Sequence, residues 1–250
     1  MKPLIASLAI ALLSSAASGA EYPAVLDWQQ RITLSTPMSG VVAAVAVSAG
    51  DRVTADQVLL SLDERPFNTA LQHAQAQEKK HRLQRDEAER ELERTRELFE
   101  RRVISVHDLQ LEEITFASSA ADYASALAAL EAAQLAREYS VIRAPFAGLV
   151  LAIPVSEGET VINTEQAQPM VLLANDRSMI AQAALDASAL ADLAPGQPAD
   201  VRIDGRHYAG RIAGIGSEPD TRGLYLLRVS FDPDGGRLRA GQPAHIETGS

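Results

Sequence analysis

The sequence repeats itself across an interruption. Pro37, Gly40, Val42, Val47, Gly50, Asp51 and Val53 recur as Pro145, Gly148, Val150, Val155, Gly158, Glu159 and Val161. Every pair is separated by the same interval, 145 − 37 = 108 residues. A constant offset marks a structural repeat rather than shared composition. A four-residue insertion then brings Leu60 opposite Leu172. The first copy ends in Ser61-Leu62-Asp63, and the second opens with Ser140-Val141-Ile142-Arg143-Ala144-Pro145. The residues between them read as two long helices with a short turn. Two half-domains split by a helical hairpin is a demanding plan, because the insertion must leave the first half and return to complete the second.

Within the first half, Val41, Ala43, Val45 and Val47 fall on one side and Val42, Ala44 and Ala46 on the other. Such alternation, bounded by Gly40 and by Ala49-Gly50-Asp51, predicts short strands and tight turns. Gly50 is expected to supply a positive φ. Val53, Val58, Leu60 and Leu62 continue the buried face.

Pro66 suits an early helical position, where its missing N–H is not needed. Phe67, Leu71, Ala74, Ala88, Leu92, Thr95 and Phe99 then share one heptad seam, with Glu78, His81 and Arg85 as its polar middle. Acids and bases alternate around it, which predicts a solvated and nearly neutral face. Arg101-Arg102-Val103-Ile104 breaks the pattern. Ser105 is placed to cap a second helix, its hydroxyl accepting from the N–H of residue 108 and an acid lying three residues on. The expected seam of that helix runs Val106, Leu109, Glu113, Phe116, Ala120, Tyr123, Leu127, Leu130 and Gln134. A turn near Arg102 would pair Leu92 with Glu113, Ala88 with Phe116 and His81 with Tyr123. Two such helices are marginal alone, so part of their stability is expected from neighbouring copies or a partner.

After Asn175 the chain reads as strands again: Met179–Ala183, Ala199–Ile203, Tyr208–Ile212, Leu224–Val229 and Ala244–Glu247. Asp186 to Leu193 reads as a short helix. The fold expected is mainly β with an inserted helical hairpin: a lipoyl-like split domain, an antiparallel coiled coil and a small antiparallel β-barrel. The boundaries read 21–65 for a lead-in and first half, 66–139 for the hairpin, 140–175 for the second half and 176–250 for the barrel. Trp28, in the lead-in, is read as a core or interface plug.

Residues 1–20 read as a cleavable signal peptide: Met1-Lys2-Pro3, an apolar run from Leu4 to Leu13, and Ser18-Gly19-Ala20 before a mature start at Glu21. The formal charge is −10, or −10 − 1 = −11 without Lys2. An acidic chain with no basic patch is a poor nucleic-acid binder. Cysteine is absent, which excludes disulfides, thiolate metal sites and a catalytic cysteine.

The half-motifs Pro37-Met38-Ser39-Gly40-Val41-Val42 with Ala49-Gly50-Asp51-Arg52-Val53, and Arg143-Ala144-Pro145-Phe146-Ala147-Gly148 with Glu157-Gly158-Glu159-Thr160-Val161, resemble the two halves of a lipoyl-like barrel-sandwich domain. With the intervening hairpin and a barrel ending in Leu238-Arg239-Ala240-Gly241-Gln242, the chain resembles the periplasmic adaptors, or membrane fusion proteins. That resemblance implies a periplasmic protein in a ring, commonly of six copies. The ring would stand between an inner-membrane transporter, of the resistance-nodulation-division (RND) type, and an outer-membrane TolC-like channel. It implies export without catalysis or a cofactor. It also implies a tip signature, matched here by Arg94, Leu98 and Ser105, with Leu98 supplying apolar contact to the channel and Arg94 and Ser105 supplying donors. Many relatives carry a further membrane-proximal domain. Here it is expected to be missing, with membrane attachment left to partners for want of a lipid-accepting cysteine.

Other readings weigh less. A lipoyl or biotin carrier needs a lysine at the exposed turn, and Ser61-Leu62-Asp63-Glu64-Arg65 has none. A metal-efflux adaptor or metal carrier would cluster methionine or histidine, but Met38, Met170 and Met179 are dispersed, as are His73, His81, His107, His207 and His245. Asp51 and Glu159 invite a reading as a catalytic pair, yet both follow a turn glycine, and no nucleophile–histidine–acid set is present. A purely structural coiled-coil module would leave the barrel and the repeat without a purpose.

Overall fold

The computed structural model describes residues 20–163, 167–235 and 238–249. The leader, apart from Ala20, lies outside the described residues. In chain order the strands are β1 (Ala20–Trp28), β2 (Arg31–Leu34), β3 (Gly40–Val45), β4 (Arg52–Val53) and β5 (Val58–Leu62). Helices α1 (Glu64–Glu100) and α2 (Val106–Tyr139) follow. Then come β6 (Val141–Arg143), β7 (Gly148–Ala152), β8 (Thr160–Val161) and β9 (Val171–Ala174). The chain ends with β10 (Met179–Leu185), β11 (Pro198–Ile203), β12 (Arg206–Ile215), β13 (Tyr225–Phe231) and β14 (Pro243–Thr248). It divides into two compact units, residues 31–174 and residues 1–30 with 175–250.

In the first unit the repeat becomes a sandwich of two four-stranded sheets, β2-β9-β7-β4 and β6-β5-β3-β8. Each sheet takes strands from both halves, and exchanging β2 with β6, β9 with β5, β7 with β3 and β4 with β8 turns one order into the other. The turns obey the same symmetry. Gly50 N–H donates to Val150 O at 2.8 Å and Gly158 N–H to Val42 O at 2.9 Å, with return bonds of 2.9 and 2.8 Å from Val150 to Asp51 O and from Val42 to Glu159 O. Both glycines have positive φ, 96° and 83°. The Asp51 carboxylate accepts from Ser48 N–H at 2.8 Å and Glu159 from Ser156 N–H at 2.9 Å. The tempting carboxylate pair is therefore two turn clasps, one per half. Val42, Leu60, Leu62, Val161 and Met170 pack one core, and Val53, Leu59, Val150, Val171 and Leu173 another.

The second unit is a closed six-stranded barrel ordered β1-β10-β13-β12-β11-β14. Here the sequence reading needs correction. The lead-in Glu21 to Trp28, expected with the first half of the split domain, belongs to the barrel instead. It forms β1, which closes the barrel by pairing Val25 with Gln182 on one side and Tyr22 with Ile246 on the other. Ala24 and Leu26 alternate into the barrel core, and Trp28 packs against it. Burying Leu26 among Leu227, Val229 and Ile246 is favourable enough to recruit a strand that contains a proline. Pro23 sits in that strand, paired with His245. The expected helix after Asp186 is only a 3₁₀ turn, Ala187–Leu190, and Asp186 makes no side-chain cap bond.

The hairpin grows from the sandwich. Asp63 caps α1 by accepting from Arg65 N–H at 3.0 Å. The Arg65 guanidinium, bonded to the same carboxylate, holds its pKa at about 2. Phe67 reaches back into a sandwich core, where Ala136 of α2 also packs. Buried Thr36 donates to Tyr139 O at 2.6 Å, and Ser140 closes α2 by donating to Arg137 O at 2.7 Å. At ~1.5 Å per residue, 37 residues carry α1 about 55 Å from its root.

Candidate functional site

The tip of this hairpin holds the residues singled out by the sequence. α1 ends at Glu100 and turns through a left-handed residue. Arg102 has φ +60°. Its N–H donates to Phe99 O at 2.8 Å, and Val103 N–H donates to Leu98 O at 3.0 Å. These two bonds form a Schellman closure, which usually places glycine at the left-handed position. α2 opens with a capping box. Asp108 N–H donates to Ser105 Oγ at 3.2 Å, while Ser105 N–H and Oγ donate to Asp108 Oδ2 at 3.0 and 2.7 Å. Those bonds from Ser105 hold the Asp108 carboxyl below its ordinary range.

The three candidate residues are deployed differently. Arg94 is an exposed residue of α1, paired with Glu91 one turn back. That bond raises the arginine's pKa and lowers the glutamate's. Leu98 lies one turn closer to the tip on the same side of α1 and is half-buried. Ser105 is exposed, but its hydroxyl already serves the cap. It therefore has limited capacity left to donate to another chain, whereas Arg94 keeps most of its donor fork.

Two tip residues were not singled out as contacts. Val103 is 66% exposed, although its N–H closes the turn. Val106, expected on the seam, is 55% exposed instead. With half-buried Leu98 and Ile104 they make the end of the hairpin apolar. The signal was in Val103-Ile104-Ser105-Val106, three β-branched apolar residues around a cap, which a turn alone does not need.

The seam below the tip also differs from the expectation. Arg85 lies over the Tyr123 ring, 4.7 Å from its centre, and Arg96 approaches Glu113 at 3.9 Å. Arg85 and Tyr123 are equidistant from Ile104, since 104 − 85 = 123 − 104 = 19. The hairpin thus folds near Ile104 rather than Arg102, and Tyr123 meets Arg85, one turn along from His81. The reason is that Arg102 belongs to the end of α1 while Ser105 belongs to the start of α2. On α2, buried Ala126 and half-buried Ser119 and Ala133 line the seam, and Leu127 and Gln134 are exposed. Small side chains bring the helix backbones close, and a Leu127 knob would hold them apart. In the polar middle, His81 Nδ1 is buried without a hydrogen-bond partner.

Among the described residues, no group of three or more His, Cys, Asp or Glu could hold a metal. No described helix is long and apolar enough to cross a membrane.

Comparison with known proteins converges on this architecture. Residues 30–173, more than half of the chain, match the family described as "RND MFP, barrel-sandwich hybrid domain". The macrolide export protein MacA of Escherichia coli O157:H7 is 27% identical over 241 residues, covering 88% of this chain and 65% of its own length. This chain thus spans just under two thirds of that relative. The multidrug resistance protein MdtA of Yersinia enterocolitica is 30% identical over 119 residues, 48% of this chain and 27% of its own. Among solved structures, a MacA-MexA chimera carrying the Pseudomonas aeruginosa MexA α-hairpin superposes with a TM-score of 0.70 at 19% identity, covering 92% of this chain and 80% of that one.

Proposed function

The chain belongs to the RND-type membrane fusion proteins, and from that footing we propose that it is a periplasmic adaptor of a tripartite efflux pump. It would be exported, act in the periplasm and assemble as a ring. It would couple an inner-membrane transporter, of the RND type, to a TolC-like outer-membrane channel. The observation that carries the reading is the hairpin. It projects about 55 Å from a rooted base, and Val103 and Val106 stand exposed at its end. An apolar end on a long rigid arm is costly to keep in water and useful only where something covers it. The relatives' names describe macrolide export and multidrug resistance; export of small molecules by such a pump is the corresponding role for this chain.

In this mechanism the adaptor performs no bond chemistry. The sandwich fixes the direction of the hairpin, Leu98 and the two valines dock by apolar burial, and Arg94 supplies hydrogen bonds to carbonyls on the partner's helices. Ser105 contributes by holding the turn in shape.

In-cell photo-crosslinking from position 98, with products identified by mass spectrometry, tests the reading. The expected product joins this chain to an outer-membrane channel, and Leu98→Asp should abolish both the association and the pump phenotype. Adducts with other copies of this chain alone, or an unchanged phenotype in Leu98→Asp, would remove docking from the tip.

A further inference from the structure

The barrel unit contains two Asp-Gly pairs, Asp204-Gly205 and Asp234-Gly235, and both stand exposed in turns. Their backbones match. Asp204 and Asp234 have φ of 48° and 50°, and the glycines after them have 80° and 70°. Aspartate tolerates this left-handed region better than most residues, and glycine enters it freely. Asp-Gly is also the sequence most open to internal attack, because glycine has no side chain to shield its backbone nitrogen.

The two pairs differ in how the aspartate is held. Asp204-Gly205 is the whole loop between β11 and β12, whose last paired residues are Ile203 and Arg206. Two-residue loops favour Asp-Gly, in a turn whose hand fits the twist of the strands. The Asp204 carboxylate is also clasped from outside the hairpin. Gln242 Nε2 donates to Asp204 Oδ2 at 2.8 Å. Gln242 Oε1 accepts from Arg239 N–H at 3.4 Å, which turns the donor end of the amide toward the aspartate. Asp234-Gly235 lies instead within the 243 − 231 − 1 = 11 residues that connect β13 to β14. Asp234 N–H donates to Asp232 Oδ1 at 2.8 Å, but the Asp234 carboxylate has no partner among the described residues.

The structure assigns Asp234 as a site of spontaneous isoaspartate formation, and Asp204 as a site where Gln242 holds the same chemistry back. In the first step the Gly235 nitrogen bonds to Asp234 Cγ. A carboxyl oxygen leaves as water, taking the nitrogen's proton and one from solvent, and a five-membered succinimide remains. Water then opens the ring. Breaking the new Cγ–N bond restores aspartate. Breaking the original peptide bond leaves the chain running through Cγ, with the α-carboxylate free. The sum is an isomerisation that needs no oxidant or co-reactant and leaves mass unchanged.

Attack requires the carboxyl to swing over the next nitrogen. At Asp234 nothing holds it. At Asp204 the swing breaks the bond to Gln242 and works against the paired strands. The consequences differ too. Isoaspartate adds one carbon to the main chain, which a long connection absorbs. At position 204 it would lengthen a two-residue turn and disturb the register of β11 and β12. The inference concerns the barrel alone and is independent of docking at the hairpin tip.

The full chain is kept folded at neutral pH for weeks, sampled and digested with trypsin, which releases residues 203–206 and 229–237. Isoaspartate in each peptide is read by its retention shift and by methyl transfer from an isoaspartate methyltransferase. It should accumulate in 229–237 and form at least about tenfold more slowly in 203–206, as expected for a hydrogen bond to a charged group. Gln242→Glu keeps the acceptor for Arg239 N–H and puts a like charge where the donor stood. Residues 203–206 should then convert severalfold faster, with 229–237 unchanged. Asp234→Glu should clear the signal from 229–237, because the larger ring closes far more slowly. Equal rates in the two native peptides would overturn the assignment. So would a peptide 229–237 that reacts only in urea, or one that still reacts in Asp234→Glu. An unchanged 203–206 in Gln242→Glu would remove the clasp. If that variant brought both peptides to the rate seen in urea it would be unfolded, and Gln242→Met, which removes the donor without adding charge, decides in its place.

Discussion

The sandwich and the hairpin are made by one continuous stretch of chain under opposite rules. In the sandwich, Leu59, Leu60, Val150, Val161, Met170, Val171 and Leu173 are all fully buried. Across the two helices, only Phe67, Ala74, Ala88, Leu92 and Ala126 are buried, and Phe67 belongs to the sandwich side. The sandwich contains its own stability. The hairpin is a lever whose stability is borrowed at its root and, through its outer faces, from whatever it meets. Such a division suits an adaptor, because the part that must recognise partners is the part left incomplete.

The largest effect should come from the repeat itself. Gly40 and Gly148 are equivalent in sequence but not in surroundings. A Cβ on Gly148 would lie 2.1 Å from Ala174 O, whereas one on Gly40 would meet the Leu62 side chain at 3.3 Å. A backbone carbonyl inside a sheet cannot yield, while a leucine can turn. Gly148→Ala should destabilise the sandwich by about 3 kcal/mol or more, and Gly40→Ala should change it by less than about 1 kcal/mol in either direction. Amide exchange over β7 and β9 measures both. Equal effects would mean that the two halves are packed alike after all.

The next change should widen the contrast from the hairpin side. His81 Nδ1 is buried without a partner, an unsatisfied group worth ~1–3 kcal/mol. His81→Leu should therefore slow exchange along α1 and α2 by that amount and leave β3 and β5 unaffected. No gain would mean that the imidazole is satisfied in solution.

Smaller again is the tip. Arg102 holds a left-handed conformation that costs a side-chain-bearing residue ~1–2 kcal/mol. Arg102→Gly should stabilise the turn by about 1 kcal/mol, visible as slower exchange at the amides of Val103 and of position 102. A destabilised turn would show that the arginine side chain contributes more than its backbone strain removes.

What could be read in advance follows the range of the interactions. Ser105 was readable as a cap because hydroxyl, N–H and carboxylate lie within three residues. The paired turns were readable because Gly50 and Gly158 need positive φ. β1 was not, because its partners β10 and β14 lie far along the chain and nothing in Glu21-Tyr22-Pro23 announces them. The left-handed turn was hidden because arginine stands where glycine is expected. The α2 seam was only half readable: alanines and serines occupy both faces, so sequence spacing could not tell the face toward α1 from the one turned away.

The smallest effect concerns acid. Asp63 caps α1 and has a pKa lowered from an ordinary 3.8 to about 2, chiefly through its bond to Arg65. Asp108, in the cap of α2, is lowered as well, by Ser105. A carboxylate with a depressed folded-state pKa favours the fold above its unfolded pKa, and that contribution disappears as the pH falls through the folded value. For Asp63 the window runs from roughly pH 4 down to 2. The buried cores of the sandwich contain no titratable side chain among the described residues. Acid should therefore fray the hairpin while the sandwich amides stay protected. Asp63→Asn separates the cap from its charge, since asparagine caps about as well but does not titrate. The first turn of α1 in that variant should show nearly constant exchange protection from pH 5 to 2, once intrinsic rates are corrected, where the native chain declines. The same decline in both would place the acid sensitivity elsewhere in the hairpin. An equal decline in β3 and β5 would end the comparison itself, since the sandwich and the hairpin would then be one cooperative unit.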